Sequence, residues 1–345
     1  MNQTITIRQP DDWHIHLRDG AVMETAVPAT AAVFARAIAM PNLQPPVINA
    51  ADAMAYYQRI KSCVPAGSNF EPLMTLYLTD ATTPEMIVAA KEAGVVKACK
   101  LYPANATTNS AHGVTDVGRL SETFAAMEEQ GILLLVHGEV TESHIDVFDR
   151  EKEFIDRHMT KIVAANPNLK IVFEHITTSD AAAFVQSSSA NVAATITPQH
   201  LMYNRNDLLV GGVKPHNYCL PVLKRNTHQQ KLQEVVATGS EKFFLGTDSA
   251  PHLKSAKESS CGCAGCYSAP AALELYAHIF DDLGCIDKLE GFASLHGPAF
   301  YGLPINEKTI TLVKEPWQMP EQVQVGDESI VPFYAGQTLN WKVKA

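Results

Sequence analysis

Two histidines one residue apart, His14 and His16, are the residues whose spacing most directly suggests chemistry. Side chains at positions i and i+2 of a β-strand leave the same face, so both imidazoles would point to one spot. Imidazole is the most common metal ligand, and a pair fixed on one strand can share one ion. A lone His-x-His motif is more typical of an ordinary half-buried strand. Three further potential ligands, His137, His175 and Asp248, follow later strand-like segments, and this joint recurrence favours a metal site.

Short apolar runs alternate with amphipathic, alanine-rich stretches along most of the chain. We predict strands at residues 12–16, 36–40, 73–78, 95–101, 132–137, 170–175, 192–197 and 242–246. We predict helices between them, including 49–64, 84–93, 120–130, 147–166, 179–187 and 229–238. Eight strands with intervening helices favour an α/β fold, the (β/α)8 TIM barrel, although the pattern alone also permits an open doubly wound sheet.

The positions of the candidate ligands favour the barrel. Five metal-binding or charged side chains fall at or just past the carboxyl ends of predicted strands: His16, Lys100, His137, His175 and Asp248. A (β/α)8 barrel carries its chemistry at that end of its strands. We expect one domain over residues 1–345, with the barrel at about 8–300 and short N-terminal and C-terminal extensions. The C-terminal extension, about 305–345, contains short β-like runs at 309–313 and 328–333.

Composition and charge exclude several classes of function. The 345 residues are 46% hydrophobic and 19% charged, which is typical of a globular protein with a large core. The formal net charge of −10 argues against nucleic acid or an anionic membrane as a partner. No apolar run approaches membrane-spanning length, and the first residues lack the apolar core of a signal peptide, so we expect a cytoplasmic protein. No glycine-rich phosphate-binding motif follows a predicted strand.

Three of the seven cysteines, Cys261, Cys263 and Cys266, lie in one short segment. Their Cys-x-Cys-x-x-Cys spacing matches part of a zinc-binding motif, but no fourth ligand with suitable spacing accompanies it. We therefore expect reduced thiols that are vulnerable to oxidation, rather than metal ligands.

The order His-x-His, Lys, His, His, Asp along a (β/α)8 barrel resembles the binuclear metal site of the amidohydrolase superfamily. The local sequence is similar to one family within it, the compact bacterial class of dihydroorotases. The similarity extends from about residue 8 to about residue 300, and every metal-ligand position matches. It is carried by Asp12-Trp13-His14-Ile15-His16-Leu17-Arg18, Ala39-Met40-Pro41-Asn42-Leu43, Lys97-Ala98-Cys99-Lys100-Leu101-Tyr102-Pro103, Val136-His137-Gly138-Glu139, Phe173-Glu174-His175-Ile176-Thr177, Ile196-Thr197-Pro198-Gln199-His200 and Gly246-Thr247-Asp248-Ser249-Ala250-Pro251-His252.

The resemblance implies two Zn²⁺ ions per subunit, bridged by a hydroxide and by an N6-carboxylated Lys100. It assigns His14 and His16 to the first ion, and His137 and His175 to the second. Two close cations need an anionic bridge, and the strand in question ends in Lys100 rather than in Asp or Glu. A solvated or ion-paired lysine is the alternative, and the four histidines argue against it.

The resemblance gives Asp248 two roles, as a ligand of the first ion and as the proton carrier. A carboxylate beside the attacking hydroxide can take its proton and then pass that proton to the leaving nitrogen. The surrounding sequence Thr-Asp-Ser-Ala-Pro is also typical of a helix N-cap. That alternative is credible for Asp248 alone, but the presence of four candidate histidine ligands favours the metal site.

Arg18 lies two residues beyond His16 and should face the same side of the chain. A guanidinium beside a metal site is typical of a carboxylate-binding residue, because it forms paired hydrogen bonds to that group. The resemblance adds Asn42 and His252 as carboxylate contacts. Taken alone, Asn42 would be an ordinary turn former and His252 an ordinary loop residue.

Residues 103–113 directly follow the Lys100 strand and are small, polar and bounded by proline and glycine. Such a segment is often an ordinary surface loop. A loop that directly follows a strand with a candidate metal ligand at its end, however, should lie next to the metal site. We expect a lid whose hydroxyls at Thr107 and Thr108 reach the bound substrate, as the family's mobile loop implies. The resemblance also implies backbone contacts to the pyrimidine ring at Leu220 and Ala264.

The resemblance implies a reversible reaction, the cyclisation of N-carbamoyl-L-aspartate to L-dihydroorotate with loss of water, in pyrimidine (UMP) biosynthesis. It also implies a homodimer. The nearest alternative is another cyclic amidase, such as a dihydropyrimidinase or hydantoinase, but the carboxylate contacts argue against it. The alternative from another class is an inactive barrel that serves as a scaffold. Such a protein is expected to have lost ligands, and none is missing from this sequence.

Overall fold

A computed structural model describes residues 3–344, and its central feature is a parallel sheet of eight strands. In chain order the strands are β1 (Thr4–Arg8), β2 (Asp11–Ile15), β3 (Arg36–Ala39), β4 (Glu71–Tyr77), β5 (Val96–Leu101), β6 (Leu133–Val136), β7 (Ile171–Phe173), β8 (Val192–Ile196), β9 (Phe243–Leu245), β10 (Thr309–Gln318), β11 (Val323–Val325), β12 (Glu328–Ile330) and β13 (Thr338–Val343). Each of the eight predicted strands corresponds to one of the strands β2 to β9.

Strands β2 to β9 pair in sequence order, each parallel to the next. The two ends of this series also meet, because Ile15 forms a parallel bridge with Ser249. Beside that bridge, the Asp248 amide donates a 2.8 Å hydrogen bond to the His14 carbonyl. The eight strands therefore form a nearly closed ring with helices between them, which confirms the predicted (β/α)8 barrel.

The helices lie between the barrel strands and after the last of them. The α-helices are α1 (Gly20–Ala31), α2 (Ala50–Cys63), α3 (Pro84–Glu92), α4 (Ser121–Gln130), α5 (Arg150–Phe154), α6 (Thr160–Ala165), α7 (Ser179–Ser187), α8 (Pro198–Met202), α9 (Arg205–Leu209), α10 (Asn226–Ala237), α11 (Lys254–Lys257), α12 (Ala272–Asp282) and α13 (His296–Tyr301). Short 3-10 helices cover Val117–Leu120, Pro215–Asn217, Ala269–Ala271 and Ile286–Lys288, and π-helices cover Ile155–Met159 and Gly291–Leu295. Within residues 3–344, no helix combines the length and apolar character needed to span a membrane.

Local sequence signals explain where several helices begin and end. Pro84 occupies the first turn of α3, where a backbone N–H has no partner in the helix. The Asn49 side chain accepts a hydrogen bond from the Asp52 amide and so caps α2. Helix α4 ends at Gly131, whose φ of +63° is a left-handed conformation that favours glycine. These signals lie in the sequence itself, and the corresponding helix predictions are confirmed.

Two helical features differ from the prediction. The single helix predicted at 147–166 is a succession of α5, the π-helix Ile155–Met159 and α6. In its middle the backbone hydrogen bonds therefore span five residues instead of four. Helix α1 is not among the predicted helices. Its sequence has a weak amphipathic pattern and contains Pro28, which normally disfavours a helix interior.

The barrel interior is closed at one end by stacked aromatic rings. Trp13 stacks on Tyr301 with ring centroids 4.2 Å apart, and Phe244 lies edge-on to Trp13. Gly297 of α13 comes so close that a Cβ atom there would lie 1.9 Å from Trp13 Nε1. Tyr301 lies beside Leu133 at the amino end of β6. These residues therefore seal the amino-terminal end of the barrel and leave the carboxyl end for chemistry.

The C-terminal extension pairs with the N-terminal strand. Strand β10 lies between β1 and β13 in an antiparallel sheet, and Leu312 and Trp341 are fully buried in the main hydrophobic core. Strands β11 and β12 form a separate antiparallel pair. The predicted β-like runs at 309–313 and 328–333 correspond to β10 and β12, although β10 continues to Gln318.

Candidate active site

The candidate ligands are buried together at the carboxyl ends of the barrel strands, as predicted. Five strands contribute them: β2 holds His14 and is followed by His16, β5 holds Lys100, and β6, β7 and β9 are followed by His137, His175 and Asp248. Parallel strands of one barrel end at the same rim, so residues far apart in sequence converge there.

Three of these side chains form a compact group of possible metal ligands. His14 Nε2 lies 3.4 Å from His16 Nε2, and Asp248 Oδ1 lies 3.3 Å from the first nitrogen and 3.0 Å from the second. The two imidazoles therefore point to one spot, as their spacing in the sequence predicts. Two imidazole nitrogens and one carboxylate oxygen at this spacing suit a divalent cation, so these residues could hold a metal ion.

Hydrogen bonds on the outer side of both imidazoles fix their orientation. His14 Nδ1 lies 2.6 Å from Glu174 Oε2, and that same oxygen accepts a 2.8 Å hydrogen bond from the Thr195 hydroxyl. His16 Nδ1 lies 2.9 Å from Asn42 Oδ1. Partners of this kind hold a histidine in the tautomer that presents its other nitrogen to a metal. The Nε2 atoms of both rings are left to face the cavity.

His137 and His175 extend the group on its other side. Their ring centroids are 4.8 Å apart, and the His175 ring lies 4.9 Å from that of His14. His137 Nε2 lies 2.9 Å from Glu139 Oε2, which leaves Nδ1 for the cavity. The buried Nδ1 of His175 has no hydrogen-bond partner in the described part of the chain. Burial lowers the pKa of both imidazoles, and a neutral imidazole is the form that binds metal.

Lys100 is fully buried, and its Nζ has no hydrogen-bond partner among residues 3–344. An ammonium group in such a position loses its hydration without compensation. Burial lowers the pKa of Lys100 to about 8, against the opposing charges of Glu174 and Asp248. The site therefore destabilises the charged form of Lys100, and the alternative of a solvated lysine is wrong for this structure, because the side chain is fully buried.

Asp248 is held as a carboxylate beside the two histidines. Burial by itself raises its pKa, but the hydrogen bonds to His14 and His16 outweigh burial and hold the pKa well below its usual range. The φ of Asp248 is +46°, an uncommon conformation outside glycine. The next helix begins only at Lys254, so the N-cap alternative for Asp248 is wrong.

The candidate substrate-binding residues surround the same cavity. It is lined by His14, His16, Arg18, Asn42, Tyr102, Thr107, Thr108, His137, His175, Leu220, Asp248, Ala250, Ala264 and Gly265. His252 lies behind this lining, with its Nε2 2.9 Å from Arg18 Nη2 and 3.0 Å from the Ala264 carbonyl oxygen. Arg18 Nε also donates to the Pro251 carbonyl at 3.3 Å. The structure thus brings every predicted substrate contact to the cavity wall or directly behind it.

Two residues of the segment 103–113, Thr107 and Thr108, line the cavity. Asn42 Nδ2 donates to the Thr108 carbonyl at 3.0 Å, and the Thr108 hydroxyl donates to the Ala264 carbonyl at 3.4 Å. Asn109 Nδ2 donates to the Asn42 carbonyl at 3.1 Å. These bonds tie the segment to two other loops of the barrel rim, so its residues form part of the cavity rather than a free surface loop.

Three carboxylates that support the site are absent from the sequence prediction: Glu174, Glu139 and Asp12. Asp12 accepts hydrogen bonds from the Thr247 amide and hydroxyl at 2.9 and 2.5 Å, and so fixes the residue before Asp248. Each of the three lies one or two residues from a predicted histidine ligand. That proximity is the signal that could have identified them, because metal-bound histidines commonly pair with carboxylates.

The cysteine segment does not join the metal group. All seven cysteines are free, with Cys261 exposed, Cys263 half-buried and Cys266 buried. Within the described residues, the one compact group of three or more possible ligands is His14, His16 and Asp248. That these thiols are reduced side chains rather than metal ligands stays a prediction.

The comparisons with known proteins identify the family. Residues 10–310 match the profile of the amidohydrolase family. A dihydroorotase of Shewanella frigidimarina is 66% identical over 341 residues, which cover 99% of each chain. The chain belongs to the amidohydrolase family, in its dihydroorotase group. A second relative from Pseudoalteromonas atlantica, also a dihydroorotase, is 66% identical over 344 residues and spans 99% of this chain and 100% of its own.

Solved structures of the family have the same fold. A dihydroorotase from Campylobacter jejuni matches with a TM-score of 0.91 and 36% identity over 100% of this chain and 98% of its own. A Saccharomyces cerevisiae dihydroorotase in complex with 5-fluoroorotic acid matches with a TM-score of 0.93 and 32% identity, covering 99% and 98%. An L-hydantoinase from Arthrobacter aurescens has a TM-score of 0.80 but only 14% identity over 99% of this chain and 83% of its own, so this likeness concerns the fold alone.

Proposed function

We propose that this chain is a zinc-dependent dihydroorotase that interconverts N-carbamoyl-L-aspartate and L-dihydroorotate in pyrimidine biosynthesis. The observation that carries the proposal is the buried group of four histidines, one lysine and one aspartate around a single cavity, with a guanidinium at its wall. The dihydroorotases that are 66% identical over the whole chain support the same reaction.

The donor set fits two zinc ions. His14, His16 and Asp248 would hold one ion, and His137 and His175 would hold the second. When bound, such ions lower the pKa of a shared water molecule and polarise the carbonyl of the ring amide. The unpartnered nitrogens of Lys100 and His175, both buried beside these groups, support an ion at this position.

Lys100 would bridge the two ions as a carbamate. The neutral amine is the form that attacks CO₂: an N–C bond forms, one proton leaves, and the product is a carboxylate on a long side chain. Burial lowers the pKa of Lys100 to about 8, so the neutral form is accessible near neutral pH. Because burial destabilises the ammonium form of Lys100, it favours reaction of the neutral amine and so supports the modification.

Asp248 would move the proton during ring opening. An ionised carboxylate at this position can accept the proton of the attacking water. The C–O bond forms at the amide carbon, the C–N bond breaks, and Asp248 returns the proton to the departing ring nitrogen. His14 and His16 hold its carboxylate in place through contacts of 3.3 and 3.0 Å.

Arg18, Asn42 and His252 would bind the substrate carboxylate, and the backbones of Leu220 and Ala264 would bind the ring. The chain carries a net charge of −10, so an anionic substrate needs a local cation, and Arg18 is the guanidinium that lines the cavity. The lid segment 103–113, with hydroxyls at Thr107 and Thr108, would close over the substrate and exclude water from the reaction.

The test compares two substrates that differ in the carboxylate. Purified protein should open dihydroorotate readily and dihydrouracil, which lacks the carboxylate, far more slowly. In Arg18→Met the KM for dihydroorotate should rise roughly ten- to a hundredfold, because a charged hydrogen bond is lost. Faster opening of dihydrouracil or hydantoin than of dihydroorotate would favour the other cyclic amidases. Protein without stoichiometric zinc and without turnover would favour the scaffold.

Three further expectations from the sequence stay predictions. They are the homodimer, the cytoplasmic location and the organisation of residues 1–345 as one domain. Size-exclusion chromatography with light scattering of the purified protein tests the homodimer.

A further inference from the structure

Tyr102 has a buried hydroxyl group that no part of the proposed mechanism uses. The side chain is 1% exposed, and its Oη has no hydrogen-bond partner within residues 3–344. A buried hydroxyl without a partner is free to form a hydrogen bond with a molecule that enters the space beside it. Tyr102 also lines the cavity together with the histidines and Asp248.

The surrounding residues hold the Tyr102 ring rigidly at the cavity wall. Tyr102 follows Lys100 by two residues, and the Lys100 Nζ lies 5.2 Å from the Tyr102 ring centroid. On its other side the ring stacks on Tyr77, with centroids 5.1 Å apart and an angle of 29° between the planes. The centroid of His137 is 6.2 Å away. The phenol therefore has a fixed position among the candidate metal ligands.

We propose that the Tyr102 hydroxyl donates a hydrogen bond to an oxygen atom of the bound substrate beside the metal ligands. This inference rests on the proposed function and adds a substrate contact to it. No proton is transferred and no covalent bond changes: the phenol acts only as a fixed donor. A donor that is held in place before the substrate arrives needs no reorganisation when negative charge develops on that oxygen.

Another buried tyrosine provides a matched control. Tyr301 also has a buried Oη without a partner in the described chain, but it lies beside Leu133 at the amino end of the barrel. Its ring stacks on Trp13 instead of on a cavity residue. If an unpartnered Oη affects only the stability of the fold, removal of the hydroxyl from Tyr102 or from Tyr301 should change Tm in the same direction and leave the kinetics unchanged.

The experiment compares Tyr102→Phe with Tyr301→Phe in the zinc-loaded enzyme. The measurements are zinc content, Tm, kcat and KM for dihydroorotate, and the Kd for 5-fluoroorotic acid. We expect Tyr102→Phe to lose roughly ten- to a hundredfold in kcat/KM, with unchanged zinc content and an unchanged or higher Tm. Tyr301→Phe should keep the wild-type kinetics and show an unchanged or higher Tm, because it removes only an unsatisfied group.

Several results would overturn the inference. Wild-type kinetics in Tyr102→Phe, with or without a higher Tm, would show that the hydroxyl does not contact the reacting substrate. Equal kinetic losses in both variants, or zinc loss from Tyr102→Phe, would indicate a role in packing or in the metal site. If the wild type opens no dihydroorotate, the proposed function is wrong, whatever the role of the Tyr102 hydroxyl. Equal Kd values for 5-fluoroorotic acid in wild type and Tyr102→Phe would then overturn the hydroxyl contact as well.

Discussion

Lys100 is the residue whose surroundings most limit the chemistry of the site. Its Nζ is buried without a hydrogen-bond partner among the described residues, and its strand ends beside the candidate ligands His14, His16 and Asp248. A positive charge there would repel both ions, whereas a carbamate would bridge them. The sequence alone could predict the position of this lysine but not its burial, because Lys97 has the same charge three residues earlier.

We predict that Lys100→Ala abolishes turnover and loses most of the second-site zinc, since two cations are left without charge compensation. Metal analysis and the dihydroorotate assay measure both effects, and Lys97→Ala, a change at the half-buried neighbour on the same strand, is the control. A Lys100→Ala enzyme that keeps two zinc ions and near-normal turnover contradicts the bridging carbamate.

Asp248→Asn should lose at least roughly a hundredfold in kcat, because an amide cannot carry the proton. The KM for dihydroorotate should change much less, since the contacts to the substrate carboxylate remain. Steady-state kinetics at matched zinc content separate the two constants. A variant with wild-type kcat would show that another group moves the proton.

The sequence identifies the candidate histidine ligands well but not the carboxylates behind them. His14 and His16 could be predicted because strand geometry fixes the relation between i and i+2. The pairing of His14 with Glu174 joins residues 160 positions apart and depends on how β2 and β7 lie in the barrel. Such a contact is a property of the fold, so sequence spacing cannot show it directly.

At the scale of elements, the strands were the most predictable part of the chain. A buried parallel strand appears as a short apolar run between breakers, as in β6 and β7, whereas β2 contains Asp11, Asp12 and His14 and is less regular. The π-helix Ile155–Met159 has no comparable sequence signal, because α-helical and π-helical residues share the same local preferences. The irregular segments of the rim were predictable only through the resemblance.

The predicted lid, residues 103–113, carries two hydroxyls at the cavity wall, on Thr107 and Thr108. Replacement of both Thr107 and Thr108 by valine should preserve the shape of the segment and the zinc content while lowering kcat at least about tenfold, because the hydroxyls that we propose to contact the substrate are lost. Steady-state kinetics and metal analysis test this. Unchanged kinetics in the double variant would make the segment an ordinary loop of the cavity wall.

A second element-scale prediction concerns the turn after His175. Glu151 on α5 is buried and accepts hydrogen bonds from the amides and hydroxyls of Thr177 and Thr178, at 2.5–3.1 Å. Glu151→Gln should lower the free energy of unfolding by roughly 2 kcal/mol, because an amide nitrogen cannot accept these bonds. Chemical denaturation measures the change, with Glu153→Gln on the same helix, a partly exposed position, as the control. Equal stability of both variants would contradict the anchoring role.

At the scale of the whole molecule, the two termini join into one sheet that the sequence could not predict. Residues 309–313 read as β-like, but their pairing with Thr4–Arg8 spans almost the entire chain. Pairing over such a separation depends on the completed barrel, which brings both ends to the same side. The net charge of −10, by contrast, follows from composition alone, and it is the reason to expect a local cationic residue such as Arg18 at a site for an anionic substrate.

Removing and restoring the metal tests directly whether the buried ligand group carries out metal-dependent opening of dihydroorotate. The rate of dihydroorotate loss is followed by absorbance in the purified enzyme, after chelation, and after addition of zinc with bicarbonate. We expect turnover in the first state, its loss in the second and its recovery in the third. Full turnover in the chelated, zinc-free enzyme, or none in any of the three states, would contradict this expectation.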